Sequence, residues 1–180
     1  MSKLEFKAGD LAVYPAHGVT RIEKVEEKEV GGESFTFYVL HVLENDMKVM
    51  VPIQNAETVG LRNIISKKEV KEVYDILQKK DVKFTSQTWN RRYREYMEKI
   101  KTGSIFELAA VLRDLYILQK DKPLSFGERK MLDTARTLLV KEMAIAQGKK
   151  ETAMLKEIED MFGVQEQVDA VAAKLSDVIS

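Results

Sequence analysis

The chain of 180 residues carries 29 basic and 29 acidic side chains, and 44% of its residues are hydrophobic, enough to build a core. Cysteine is absent, which excludes disulfides and thiolate metal sites. No apolar run approaches the roughly 20 residues of a membrane span, and the start, MSKLEFKAGD, is unlike a signal peptide. We therefore expect a soluble cytoplasmic protein with no membrane association.

The zero net charge hides a basic middle. Residues 66–148 carry 18 Lys or Arg against 12 Asp or Glu, a net charge of +6. Residues 1–65 carry 7 against 10 and residues 149–180 carry 4 against 7, a net charge of −3 each. This asymmetry indicates a nucleic-acid partner only weakly, because helical surfaces are often lysine-rich for solubility alone.

Residues 1–65 predict a small β module. β-branched and aromatic residues dominate four short segments, DLAVYP, GVTRIEKVEEKEV, ESFTFYVLHVLE and MKVMVPI. Gly31 and Gly32 separate the second segment from the third and suit a hairpin turn. The spacing favours a small barrel or a strongly bent sheet. So short a module has a thin core, and we expect it to lean on its neighbour.

From Ser66 onward the periodicity becomes helical. Three capping boxes are predicted, each with a serine followed three positions later by glutamate: Ser66 and Glu69, Ser104 and Glu107, Ser125 and Glu128. Apolar residues follow each at helical spacing. Further helices are predicted around 151–162 and 165–178. The fold class is therefore α+β, with the β module first and an all-α domain after it.

Motifs for catalysis and metal binding are lacking. The two histidines, His17 and His41, have no ligand-like partner at helical or hairpin spacing. The segment VGGES lacks the lysine and the helix start of a phosphate-binding loop, and no serine lies in a nucleophile elbow. We expect no enzyme, no metal and no cofactor.

The segment TWNRRYREY, residues 88–96, has two interpretations. At about 100° per residue, Tyr93, Tyr96, Met97 and Ile100 fall on the same helix face as Trp89, which predicts a core stripe. Against this, Trp89 stands in the first turn, and a cluster of arginines at 91, 92 and 94 opposes the helix dipole there. DNA phosphates could compensate that charge, or the nearby Glu95 and Glu98 could suffice.

A second helix start has the same character. In LSFGERKML, Phe126 follows the Ser125 cap, and Arg129 and Lys130 come in the next turn. Phe126 could staple the helix entry or be exposed. Each of the two helix starts has an aromatic residue followed by basic residues. This repetition favours one basic surface shared by both helix starts.

In MKVMVPI, alternation sends Val49 and Val51 to one face and Lys48 and Met50 to the other. If the valines are core, Met50 is exposed, and Pro52 marks an edge strand. Such an edge could receive a partner's strand, or the helical domain could cover Met50.

Several motifs together resemble one family. GDLAVYPAHGV, FYVLHVLENDMKVMVPI, VGLRNIIS, TWNRRYREYMEKIKTGS and LSFGERKMLDTAR are similar to the CarD/CdnL transcription factors of bacteria, and most to the CdnL branch, over about residues 4–162. The resemblance implies a Tudor-like (SH3-like) β-barrel that docks on the β subunit of RNA polymerase by sheet-edge pairing. The docking residues map to Val39, Met50 and Pro52, and more loosely to Lys28 and Val30. The actinobacterial branch has a basic residue at the position of Met50. Since this chain has methionine there, the contact at that position should be apolar.

For the helical domain, the resemblance implies that Trp89 wedges at the upstream edge of the transcription bubble, through the minor groove. Arg91, Arg92 and Tyr93 match residues that hold the nearby DNA backbone. Further matches, which act in DNA binding or in packing, are Met97, Phe126, Arg129 and Lys130.

The expected function is to bind RNA polymerase and promoter DNA, with little sequence specificity, and to stabilise the open complex at housekeeping-sigma promoters, as a monomer. The expected domains are 1–65, 66–162 and a C-terminal tail, 163–180. The alternative is a free-standing nonspecific DNA-binding protein whose β module binds another protein.

Overall fold

The computed structural model describes residues 5–80 and 89–163, with the backbone alone of Trp89. Four strands come first: β1 (Leu11–Tyr14), β2 (Gly18–Val30), β3 (Glu33–Val42) and β4 (Lys48–Pro52), followed by a 3-10 turn at Ile53–Asn55. Five helices follow: α1 (Lys67–Gln78), α2 (Trp89–Lys101), α3 (Ile105–Asp121), α4 (Phe126–Gln147) and α5 (Glu151–Phe162). The predicted order of a β module before helices is confirmed. None of these helices is long and apolar enough to cross a membrane.

The strands form one antiparallel sheet in the order β1-β2-β3-β4, which curls into a half-barrel. Gly31 and Gly32, at φ 61° and 81°, make the predicted hairpin turn between β2 and β3, since the left-handed region suits the twist of the strands. β4 lies at the edge of the sheet, as Pro52 predicted.

Two apolar clusters fill the interior. The smaller lies inside the sheet and includes Phe6, Ile22, Tyr38, Leu40, Val51 and Leu61. The larger joins the helices and includes Val73, Leu112, Leu115, Leu139, Met143 and Ile158. The apolar spacing predicted after Ser66, Ser104 and Ser125 is thereby confirmed as core in α1, α3 and α4.

The sheet packs closely on the helices, as its thin core predicted. A Cβ added to Gly18, at the start of β2, would lie 2.7 Å from Leu138 Cδ2 on α4. One added to Gly103, between α2 and α3, would lie 2.8 Å from Pro15 Cγ. Real Cβ atoms do not approach so closely, so glycine at these two positions allows the two modules to touch.

Two of the three predicted capping boxes are confirmed. Ser66 and Ser125 each accept the N3 amide while Glu69 and Glu128 bond back to the cap amide. The prediction for Ser104 is wrong: its side chain makes no cap hydrogen bond. Its ψ is 124°, against 167° and 166° at the other caps, and its amide donates to Thr102 Oγ1 at 3.2 Å instead of to Glu107. The C-terminal helix predicted at 165–178 lies outside the described residues.

Candidate functional site

The five residues expected to dock on a partner share one face of the sheet. The strand register pairs Lys24 with Val39 and Val39 with Met50, and it pairs Phe37 with Pro52. Cross-strand partners point to the same side, and side chains alternate along a strand. Lys28, Val30, Val39, Met50 and Pro52 therefore all lie on the side opposite the sheet's core. We call this side the outer face.

A bulge in β2 produces this arrangement. Ile22 of β2 pairs with Leu40 of β3. The next residue of β3, Val39, pairs with Lys24, so one residue of β2 has no partner in the register. Before the bulge the even-numbered residues of β2 point into the core; after it they point outward. The bulge therefore places Lys28 on the outer face, and no local pattern in the sequence predicts the bulge.

The outer face is partly apolar and accessible. Met50 is 40% exposed and Val30 57%, whereas Val39 is 6% exposed and belongs to neither core cluster. The Lys28 ammonium lies 3.8 Å from the Met50 sulfur. Val51 is buried, so the predicted alternation in β4 is confirmed. The alternative, that the helical domain covers Met50, is wrong.

The start of α2 presents charge and an aromatic ring to solvent. The helix begins at Trp89, whose side chain lies outside the description. Arg91 is exposed and its Nε lies 3.6 Å from Glu95, and Tyr93 is 40% exposed. Tyr96 and Ile100 are buried, as predicted for the core. The predicted stripe therefore holds from Tyr96 onward and fails at Tyr93.

The start of α4 exposes its aromatic residue as well. Phe126 is 75% exposed, so it does not staple the helix entry. Arg129 and Lys130 are also exposed. Glu128, between them and Phe126, is 5% exposed, and its Oε1 accepts the Ser125 amide at 3.2 Å. The capping box thus turns Glu128 inward while its neighbours face solvent.

Buried polar groups lie on α2, α3 and α4. Burial raises the pKa of Tyr96 on α2, helped by the charges of Asp114 on α3 and Glu128 on α4 and opposed by that of Arg92. Burial also raises the pKa of Asp114, against the effect of Arg113, whose Nη2 donates to Asp114 at 2.9 Å. Charges on α3 and α4 therefore act on the buried Tyr96 hydroxyl of α2.

Two aromatic residues of the outer face are not among the predicted docking residues. Phe35 pairs with Lys28, and Phe37 pairs with Pro52, so both lie on that face and are half-buried. Phe35, Phe37 and Val39 recur at every second position of β3, and this period-two signal was available in the sequence.

Within the described ranges, no three His, Asp or Glu side chains come together in a way that could hold a metal ion.

Two known protein domains match most of the chain. The profile of the CarD-like/TRCF RID domain matches residues 6–65, and that of the CarD C-terminal domain matches residues 72–159. A Bacillus subtilis (strain 168) protein, YdeB, described as a candidate transcription factor, is 36% identical over 143 residues, which are 79% of this chain and 93% of that protein.

Among solved structures, CdnLNt from Myxococcus xanthus is 48% identical over 37% of this chain and 94% of its own, with a TM-score of 0.31. The domain profiles agree with the expected fold class, a small Tudor-like β domain followed by an all-α domain. The chain belongs to the CarD/CdnL family of transcription regulators.

Proposed function

We propose that this regulator binds the RNA polymerase β subunit through the outer face of its sheet and holds promoter DNA with the starts of α2 and α4. It stabilises the open complex at housekeeping-sigma promoters and acts as a monomer, delivered to the nucleoid by polymerase. The proposal assigns polymerase binding to residues 1–65 and DNA binding to residues 66–162. Residues 163–180 follow the DNA-binding domain as a C-terminal tail.

The polymerase assignment is supported by the accessible edge strand. β4 has one unpaired edge in the described sheet, and Met50 and Pro52 lie on the outer face beside it. An extended segment of a partner can add to such an edge by main-chain hydrogen bonds, while side chains fill the apolar positions between them. Methionine adapts to an irregular partner surface, which agrees with the apolar contact expected at Met50.

The DNA assignment is supported by the exposed side chains at the two helix starts. Arg91, Arg129 and Lys130 are exposed and can neutralise phosphates. Phe126 offers an accessible aromatic ring, and an indole at position 89 could stack on an unpaired base with about 1–3 kcal/mol. Apolar wedges in the minor groove stabilise distorted DNA without base-specific contacts, as a general promoter factor requires.

The neutral overall charge agrees with this division of labour. Phosphate contacts alone give weak, salt-sensitive binding. Attachment to polymerase raises the local concentration of the DNA-binding surface, so that weak contacts suffice. The observation that carries the proposal is that one chain exposes both a partly apolar sheet face and two helix starts with basic and aromatic side chains.

The direct test is the lifetime of the open complex, measured with purified polymerase and a housekeeping promoter. The wild-type protein should lengthen it, and Trp89→Ala should remove most of that effect while the variant still binds polymerase and unfolds at the same urea concentration. A shift of about 1.4 kcal/mol in open-complex stability corresponds to a tenfold change in population. If Trp89→Ala instead unfolds far more easily, Trp89 is a core residue and the wedge assignment is wrong.

DNA binding with and without polymerase distinguishes the proposal from the alternative, a free-standing DNA-binding protein. Binding to promoter DNA at moderate salt should require polymerase if the proposal holds. Equal binding with and without polymerase would favour the alternative.

A further inference from the structure

An apolar groove in the helical domain shares no lining residue with either proposed interface. It is bounded by the C-terminal ends of α1, α3 and α5 and has a volume of about 560 Å³. Its apolar lining residues are Leu77, Ile117, Met161 and Phe162, and three lysines, Lys79, Lys80 and Lys120, also line it. The groove is therefore an apolar slot with a basic rim.

The chain continues from the edge of this groove. Met161 and Phe162 are the last residues of α5, and Gly163 caps that helix in the left-handed conformation, at φ 66°. A C-cap of this kind lets the chain change direction immediately after a helix. Seventeen residues, 164–180, follow at this point. They extend beyond residue 159, where the match to the CarD C-terminal domain ends.

These residues carry a regular apolar stripe. Val164, Val168, Val171, Leu175 and Val178 are spaced by four, three, four and three positions. On a helix with about 100° per residue, all five fall within about 40° of one line, so a single narrow face is aliphatic. The segment has three acidic residues, Glu166, Asp169 and Asp177, against one lysine, Lys174.

We propose that residues 164–180 form an amphipathic helix that docks its aliphatic stripe into the groove of the same chain, as a sixth helix of the bundle. The stripe supplies the aliphatic side chains that the slot accepts, and the excess of three acidic residues over one lysine favours approach of the segment to a groove lined by three lysines. Covalent attachment at Gly163 makes docking intramolecular and raises the effective concentration of the segment. A second copy is the less favourable occupant of the stripe, because pairing two tails would bring like charges together.

The chain has no cysteine, so a single engineered cysteine gives a unique labelling site. A nitroxide on Ser176→Cys, next to Leu175 of the stripe in the sequence, should weaken the amide NMR signals of residues 77–80 and 117–120 relative to the reduced label. A nitroxide on Glu29→Cys, at the exposed end of β2, should leave these signals unchanged. Absence of weakening with the Ser176→Cys label would overturn the proposal. The groove would then be open or be covered by another segment, such as residues 81–88.

Two charge-matched double variants test the stripe itself. Val171→Asp with Leu175→Asp should abolish the weakening, because it places carboxylates on the stripe. Ala170→Asp with Ala173→Asp, which adds the same charge on the opposite side, should preserve it. Equal loss in both variants would overturn docking through the stripe.

A mixture of nitroxide-labelled and isotope-labelled chains identifies the source of the contact. Weakening that disappears when the two labels are on different chains supports the intramolecular helix. Weakening between different chains, with a doubled mass in sedimentation, would mean that a second copy binds the tail and would overturn the proposal.

Discussion

Arg62 and Glu142, 80 positions apart in the sequence, form a bidentate ion pair between the end of the β module and α4. Nη1 and Nη2 of Arg62 each lie 2.7 Å from a different carboxylate oxygen of Glu142, whose side chain is only 3% exposed. Glu142 also accepts the amide of Ile65 at 3.1 Å, and Arg62 Nε donates to the carbonyl of Gly103 at 2.9 Å. This network fixes the sheet relative to the helices, and so the two proposed interfaces relative to each other.

Arg62→Ala should lower the free energy of unfolding by about 3–5 kcal/mol, because it leaves the Glu142 carboxylate buried without its cation. Arg62→Met combined with Glu142→Leu should cost less than Arg62→Ala alone, since no charge then remains buried. Urea denaturation measures the free energy of unfolding of each variant. Arg91→Ala, which breaks the exposed pair with Glu95, is the control and should cost at most about 1 kcal/mol. A similar small cost for Arg62→Ala would contradict the structural importance of the pair.

The capping serines should respond differently to removal of the hydroxyl. Ser125→Ala should lower the free energy of unfolding by about 1 kcal/mol, because the hydroxyl accepts the Glu128 amide. Ser104→Ala should change it by only a few tenths of a kcal/mol, because this hydroxyl makes no cap hydrogen bond. Thermal unfolding of the two variants side by side measures the difference. Equal losses would restore the capping box at Ser104.

Phe126→Ser should leave stability nearly unchanged, because the ring is 75% exposed. It should shorten the open-complex lifetime if the ring contacts DNA as proposed. Phe162→Ala is the matched control: that ring is 5% exposed and stacks on Tyr116 with centroids 4.6 Å apart, so its loss should cost about 3–5 kcal/mol. An unchanged open-complex lifetime with Phe126→Ser would remove Phe126 from the DNA surface.

Met50→Asp should abolish capture of the polymerase β subunit, since it buries a carboxylate in the proposed contact. Val25→Asp provides a control on the same sheet. Val25 is 45% exposed, close to the 40% of Met50, but it pairs with Tyr38 and lies on the opposite side. Pull-down of the β subunit should fail for Met50→Asp alone. Loss with both variants would indicate general damage to the sheet, and loss with neither would exclude the outer face.

Arg91→Ala should weaken DNA binding and reduce the slope of log affinity against log salt concentration by about 1, the value for one phosphate contact. Lys71→Ala, at an exposed position of α1, removes the same charge and should leave the slope unchanged. Binding titrations over a range of salt concentrations measure both slopes. Identical slopes for wild type and Arg91→Ala would contradict a phosphate contact.

The sequence by itself determined the features that depend on neighbouring residues. Gly31 and Gly32 set the hairpin because they reach positive φ without strain, and Ser125 with Glu128 set the start of α4 because the two residues are one turn apart. The alternation of Val49, Met50 and Val51 determined which face of β4 is buried. The docking and DNA roles were expectations from family resemblance, and they remain proposals.

The tertiary structure decided what depends on distant parts of the chain. The bulge after Ile22 assigned the side chains of β2 to their faces, and packing exposed Phe126 where the sequence allowed a staple. Arg62 and Glu142 showed no local pattern, because their pairing arises only when the sheet folds against α4. Helical and strand periodicities reflect contacts between residues a few positions apart. Burial, and pairing across 80 positions, depend on how the whole chain packs.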